Sequence, residues 1–198
     1  MSVSALPARD LISSRDDYRR FRDADARAHG LAGLRRRDLW SRPELRFQRL
    51  LRRVEYLECR RRGPLGRLLR LEAAWRLRRR AIRLGFVIPR RVFGPGLSLA
   101  HHGSIVVNGR ALIGRNCRVH PGVVVGELDG GAPVIGDDVY LGPGAKVFGA
   151  VTIGDGAAIG ANAVVTADVP AGATVAGIPA RVVSERGSDG LLWETVVR

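Results

Sequence analysis

The apolar positions of this chain follow two different periods, and the change falls near Pro89. Before it the spacing is helical. In "PELRFQRLLRRVEYLECRRR", Phe47, Leu50, Leu51, Val54 and Leu57 recur at intervals of one, three and four, which puts them on one helix face. Pro43 suits the first turn of that helix, and "RRGPLGR" breaks it. A second amphipathic helix is predicted through Leu65, Leu68, Leu69, Trp75, Ile82 and Leu84, with Gly85 as its stop. Residues 1–30 are polar and are expected to hold one loose helix, with no order assigned to the first ten.

After Pro89 a strict period of six takes over. Ile135, Leu141, Val147, Ile153, Ile159 and Val165 are six apart without a gap, and a small or β-branched residue stands two positions before each from Val139 onward. The register runs back through Val125, Val119 and Ile113, and then to Ile105, Leu99 and Phe93. A strand alternates every two residues and a helix repeats every 3.6, so neither explains a six. A short strand plus a tight turn does. Three such units close a triangular coil of about 18 residues, and coils stack at about 4.8 Å. The predicted fold is mainly β: a left-handed parallel β-helix of hexapeptide repeats, preceded by a small Arg-rich helical region. The expected division is a helical region over 1–88, the β-helix over 89–183 and a tail over 184–198.

Two breaks interrupt the register. Ile105 to Ile113 spans two extra residues, read as lying around Asn108-Gly109, and Val125 to Ile135 spans four extra in "GELDGGAP". Insertions in a solenoid become corner loops. Three of the four histidines, His101, His102 and His120, lie near the first break. The register stacks Val119 over Leu99, places His120 over Ala100 and Pro121 over His101, and so makes His101 and His120 neighbours on one outer corner. They fit three readings: structural packing, a metal site, or a general base. Adjacent histidines seldom reach one metal together. A neutral imidazole is suited to removing a proton from an alcohol as it attacks an acyl carbon.

Charge adds one feature. Residues 1–91 carry about +16 and residues 92–198 about −2, and Lys146 is the one lysine among 33 basic residues. Arginine keeps its charge and pairs with carboxylates or phosphates, so an anionic partner and an ordinary solvated helix face both fit. The start of the chain lacks an apolar stretch of signal-peptide type, and no run is apolar enough for a transmembrane helix. Cys59 and Cys117 form no metal or disulfide pattern. The expected location is the cytoplasm.

The stretch "GFVIPRRVFGPGLSLAHHGSIVVNGRALIGRNCRVHPGVVVG", with "APVIGDDVYLGPGAKVFGAVTIGDGAAIGANAVV" and "AGIPARVV", resembles the serine acetyltransferase family of hexapeptide acyltransferases, notably its short branch found with capsule and exopolysaccharide genes. The resemblance covers roughly residues 45–183. It implies transfer of acetyl from acetyl-CoA to the hydroxyl of L-serine, a step of cysteine biosynthesis, with His101 as general base and no metal. It implies acetyl-CoA in the groove between neighbouring β-helices of a homotrimer. The matching positions are Gly126, Gly142, Pro143, Gly160 and Ala161, with Arg181 of "AGIPARVV" as a phosphate contact; the register adds Lys146, expected to point outward one position after the inward Ala145 and to meet a CoA phosphate.

Two family positions differ. The acidic residue fifteen positions before the base is Phe86 here, and the histidine that holds serine is Ala132. His120 is therefore the expected partner of His101. The altered positions keep a sugar or natural-product hydroxyl open as the acceptor. A zinc-dependent lyase and a non-catalytic scaffold binding anions through the Arg-rich helices are further alternatives; no specific nucleic-acid partner is expected. A trimer is expected, with a dimer of trimers as the larger possibility.

Overall fold

A computed structural model describes residues 10–33, 36–60 and 63–192. The first nine residues and the end of the tail therefore lie outside the described part. Four helices come first: α1 (Arg15–Arg27), α2 (Arg36–Ser41), α3 (Pro43–Arg60) and α4 (Pro64–Leu84). The helix expected within residues 1–30 is α1, and its start is well specified. Ser14 Oγ accepts from the Asp17 N–H at 3.0 Å while Asp17 Oδ2 accepts from the Ser14 N–H at 3.0 Å, a reciprocal capping box. α3 buries Phe47, Leu51, Val54 and Leu57, the face its spacing predicts. α4 ends at Gly85, whose φ of 75° is left-handed and suits glycine.

α4 differs from its expected packing. Gly66, Ala73 and Leu77 are its buried residues, whereas Leu65, Leu68, Trp75 and Ile82 are exposed. The buried face combines two small residues, Gly66 and Ala73, with Leu77 against α3, and the other large side chains stand outside it.

The remaining chain is a parallel β-solenoid of five coils with three sheets. The first sheet contains β1 (Phe86–Val87), β3 (Ile105–Val107), β6 (Val124–Gly126), β9 (Lys146–Phe148) and β12 (Val164–Val165). The second contains β4 (Leu112–Ile113), β7 (Val134–Ile135) and β10 (Thr152–Ile153). The third runs through β2 (Ser98–Leu99), β5 (Arg118–Val119), β8 (Tyr140–Leu141), β11 (Ala158–Ile159) and β13 (Thr174–Ala176), and β14 (Arg181–Ser184) closes it antiparallel. The six-residue period is thus one inward aliphatic per sheet per coil. Leu99, Val119, Leu141 and Ile159 form one such column, stacked in register and fully buried.

Pairing corrects one detail of the sequence register. Val107, not Ile105, stacks on Val125, while Phe86 pairs with Ile105. Val107 to Ile113 is then an uninterrupted six, and the two extra residues fall between Leu99 and Val107. They belong to "AHHGS", the corner that holds His101 and His102, and not to Asn108-Gly109. The first strand of the solenoid begins at Phe86, ahead of residue 89. The four-residue insertion lies where expected, as a tight loop closed by Leu128 and Gly131.

The helices are joined to the first coil by polar groups inside the protein. Arg52 is completely buried. Its Nε donates to Asp25 Oδ2 at 2.9 Å, and its two terminal nitrogens donate to the carbonyls of Phe93 at 3.0 Å and Gly94 at 2.6 Å. Asp25 Oδ1 also accepts the amides of Gly96 and Leu97, both at 2.9 Å, and Glu55 receives Arg52 and the Arg91 amide. Burial alone would lower the Arg52 guanidinium, but Asp25 and Glu55 outweigh it and hold it above the usual arginine range. His29 lies beside this network. Its Nε2 meets Gln48 Oε1 at 2.8 Å, and the Gln48 amide donates to Leu97 O, so the shared proton sits on His29.

Arg52→Leu leaves Asp25 buried without its cation and is expected to cost roughly 3–5 kcal/mol in urea unfolding, with part recovered in the Arg52→Leu/Asp25→Leu double variant. Burial pushes the His29 imidazole down to about 4. An unfolded histidine titrates near about 6.5, so the unfolded chain binds the extra proton between these values. The stability that His29 contributes is complete above about pH 6.5 and is lost as the pH falls through about 4. Thermal unfolding at a series of pH values is expected to show this decline, with a shallower slope for His29→Gln.

Candidate active site

The candidate site lies on the solenoid corner that leads from the third sheet back to the first. The later coils cross this corner with five residues between inward aliphatics, as from Val119 to Val125 and from Leu141 to Val147. The first coil has seven, from Leu99 to Val107. Both ends of that segment are held by the stacking columns, so the surplus chain is forced outward. His101 and His102 form the crest and are exposed. The chain returns at Gly103, whose amide donates to Leu84 O at 3.0 Å, and Ile105 donates to Gly85 O at 3.1 Å. Pro121 sits over Gly103, where a Cβ would lie 3.0 Å from the proline ring; the φ of 142° adds to the need for glycine. His101 is therefore not under Pro121, because the insertion has displaced it.

His101 and His120 are nevertheless brought together. Their rings lie edge to face with centroids 6.5 Å apart, and the Tyr140 ring centroid lies 5.0 Å from that of His120. Arg118 Nε contacts His120 Nε2 at 3.4 Å, which assigns that nitrogen as acceptor and leaves the proton on Nδ1. Partial burial, with Arg118 and His101 adding to it, pushes His120 down to about 4. His120 is thus neutral near pH 7. The Tyr140 hydroxyl is raised by burial, against the opposing charge of Arg118.

His102 has a separate partner. Its Nδ1 lies 3.0 Å from Glu44 Oε1, and the Glu44 side chain, on the first turn of α3, is only 10% exposed. Phe86, where the family places an acid, is instead buried against Phe47. The nearby carboxylate comes from the helix and addresses the second histidine. Among the described residues, no group of three or more His, Cys, Asp and Glu side chains is arranged to hold a metal ion.

The expected cofactor positions divide into two places. Gly142, Pro143, Gly160 and Ala161 continue the histidine corner in the next two coils. The amides of Gly142 and Gly160 are used in the ladder, donating to Ile159 O and Val175 O at 2.8 Å each. Pro143 and Ala161 are exposed on the same edge. Gly126 lies at the far end of β6, under Phe148, whose ring a Cβ would meet at 2.5 Å. Lys146 does not reach outward: its Nζ donates to Gly122 O at 2.8 Å and Gly144 O at 2.6 Å. Arg181 is exposed on β14 and donates to its neighbour's carbonyl, Ala180 O, at 2.8 Å.

Sequence periodicity reaches Arg118 and Tyr140 only as outward positions on two stacked strands, one coil apart. It gives no signal for Glu44, which approaches from an unrelated element.

Residues 132–167 match the family described as bacterial transferase hexapeptide (six repeats). A serine acetyltransferase of Bacillus subtilis (strain 168) is 41% identical over 107 residues, covering 52% of this chain and 47% of that protein. The chain spans about half the length of this curated relative. Solved structures extend the likeness into the helices. A serine acetyltransferase in complex with CoA is 27% identical at a TM-score of 0.64, covering 85% of this chain and 71% of that one. The soybean serine acetyltransferase apoenzyme is 30% identical at a TM-score of 0.63, covering 84% and 69%. With a likeness that spans both the helices and the solenoid, at 30% identity over 69% of the soybean enzyme, the chain belongs to the serine acetyltransferase family.

Proposed function

We propose that this protein is an acetyl-CoA-dependent serine O-acetyltransferase of the cytoplasm, with His101 as general base. The observation that carries this reading is the exposed His101 imidazole beside neutral His120 on a corner whose edge continues through Pro143 and Ala161. In the step proposed, His101 takes the proton of the acceptor hydroxyl as its oxygen attacks the thioester carbonyl. The tetrahedral oxyanion collapses, the C–S bond breaks, and the imidazolium returns its proton to the CoA thiolate. Proximity of the two bound substrates makes an acyl-enzyme unnecessary. His120 serves as the positioning neighbour of His101. Being neutral, it adds no full positive charge against the imidazolium that forms.

CoA is proposed to run along the edge formed by Gly142, Pro143, Gly160 and Ala161, with Gly126, Lys146 and Arg181 further along its path. Lys146 must leave its two carbonyls to meet a phosphate. The corner is open on its outer side, and a neighbouring copy in a homotrimer is proposed to supply the second wall. The related structure that holds CoA supports the cofactor. A second reading rests on one contact. His102, held by Glu44 at 3.0 Å, has a carboxylate support that His101 lacks among the described residues, and would then be the base. Ala132 and Phe86 favour a sugar or natural-product hydroxyl as the alternative acceptor.

Thiol release from acetyl-CoA with L-serine, homoserine and a panel of sugars tests the proposal. Turnover on serine is expected, and turnover confined to a sugar overturns the acceptor. His101→Ala is expected to lower kcat by roughly 10²–10⁴-fold, as loss of a general base does. A greater loss in His102→Ala than in His101→Ala transfers the role to His102. His120→Ala is expected to lower kcat/KM with the fold retained; an unchanged value removes its positioning role.

A further inference from the structure

The outward face of α4 has no role in the solenoid or its corner. At about 100° per residue, Leu68, Leu71, Trp75 and Ile82 fall within one narrow arc, roughly opposite the buried Gly66, Ala73 and Leu77. All four are more than half exposed. An apolar stripe of this size on a helix already anchored through its other side marks a surface that meets something. Arginines stand on both flanks. Arg67 and Arg78 lie on one, and Arg76, Arg79 and Arg83 on the other, all exposed. α4 carries seven arginines and one carboxylate, Glu72, which pairs with Arg76. Among the described residues the other six have no ion pair. Arg79 lies over the Trp75 ring at 4.7 Å, and a groove of about 190 Å³ is lined by Trp75, Arg76, Arg79, Arg80, Arg83 and Leu50. Arg80 is lowered chiefly by burial and then by its neighbours Arg46 and Arg83.

Charge decides the occupant. Two copies meeting through this stripe would bring ten flanking guanidiniums together against two carboxylates, each already paired with Arg76 of its own helix, which is repulsive. An anionic lipid surface presents phosphates to both flanks and an apolar interior to the stripe. We infer that α4 docks the protein on an anionic bilayer, lying in the plane of the interface, with Leu68, Leu71, Trp75 and Ile82 in the headgroup–acyl boundary and the flanking arginines on lipid phosphates. No described helix is long and apolar enough to cross a membrane, so this is attachment from one side. The groove beside Trp75 faces the headgroup level.

The test is co-sedimentation of the full chain with phosphatidylcholine vesicles and with vesicles also containing phosphatidylglycerol. Retention is expected only with the anionic lipid, weakening with salt, and with a blue shift of Trp75 emission in a Trp40→Phe/Trp193→Phe background. Arg78→Gln and Arg79→Gln are each expected to weaken retention by about fivefold. Leu71→Glu/Ile82→Glu, both at exposed sites, is expected to abolish it while circular dichroism and thermal unfolding stay native. Absence of retention overturns the inference. So does retention that the Leu71→Glu/Ile82→Glu variant leaves intact, which marks a purely electrostatic polyanion surface, with nucleic acid as the competitor to try. Lipid-free self-association removed by that variant, without vesicle binding, assigns the stripe to a second copy.

Discussion

Arg52 is the group on which the relation between the two halves of this protein depends. A fully buried guanidinium is costly unless every donor is used. Here its donors reach Asp25 on α1, Glu55 on its own helix, and the carbonyls of Phe93 and Gly94 on the first coil. Asp25 then reaches onward to the amides of Gly96 and Leu97. Segment 94–97, beyond the Phe93 bridge to Ile113, is irregular backbone at the open end of the solenoid, where the ladder has no further coil on its outer side to supply partners. The helical region supplies them. Apolar contact such as Phe47 against Phe86 adds attraction, but only the directional polar contacts fix orientation. Since Glu44 lies on the same helix as Arg52, this clamp also decides where the Glu44 carboxylate meets the histidine corner.

The fold was legible because the solenoid repeats one steric rule. Every coil must place one aliphatic per sheet inside a narrow triangular interior, and Ile135 through Val165 state that rule six times without interruption. Such redundancy tolerates local ambiguity, so the architecture follows even where the register near Ile105 is misread. That misreading has a physical cause. Ile105 and Val107 both point inward, both are β-branched and both are buried. Composition cannot tell which of them is the corner aliphatic. The pairing of Val107 with Val125 decides it, and that contact is long-range.

The site was legible in part for the same reason. His101 and His120 are neighbours because stacking converts a separation of nineteen residues into one coil. What escaped were the contacts that do not obey the repeat. Lys146 occupies an outward strand position, yet its long stem folds back and its ammonium satisfies two corner carbonyls. Glu44 comes from a helix whose approach is set by Arg52. Leu68, Trp75 and Ile82 sit on the apolar face that the spacing predicts for this helix, and Leu and Trp at helical spacing normally pack inward, yet here they are exposed. The face that packs inward carries Gly66, Ala73 and Leu77 instead.

The exposure of His101 and His102 follows from register and not from their polarity. Leu99 is tied under Val119 and Val107 under Val125, so the number of residues that fit along the corner is set by the neighbouring coil. Seven residues in a space made for five must bulge, and since Ile105 alone among them is buried, His101 and His102 stay outside. The bulge is bounded on one side by Pro121, which presses on Gly103, and on the other by Leu84 and Gly85, whose carbonyls take the amides of Gly103 and Ile105. The two histidines thus stand on a short, braced arch and not on a free loop. A mobile loop would spend conformational freedom each time it presented an imidazole to a substrate; this arch has already lost it on folding. The end of α4 forms one of its abutments. The helix with the unpartnered apolar stripe and the corner with the histidines are therefore parts of one rigid unit, and a surface that holds the first holds the second at a fixed distance from it.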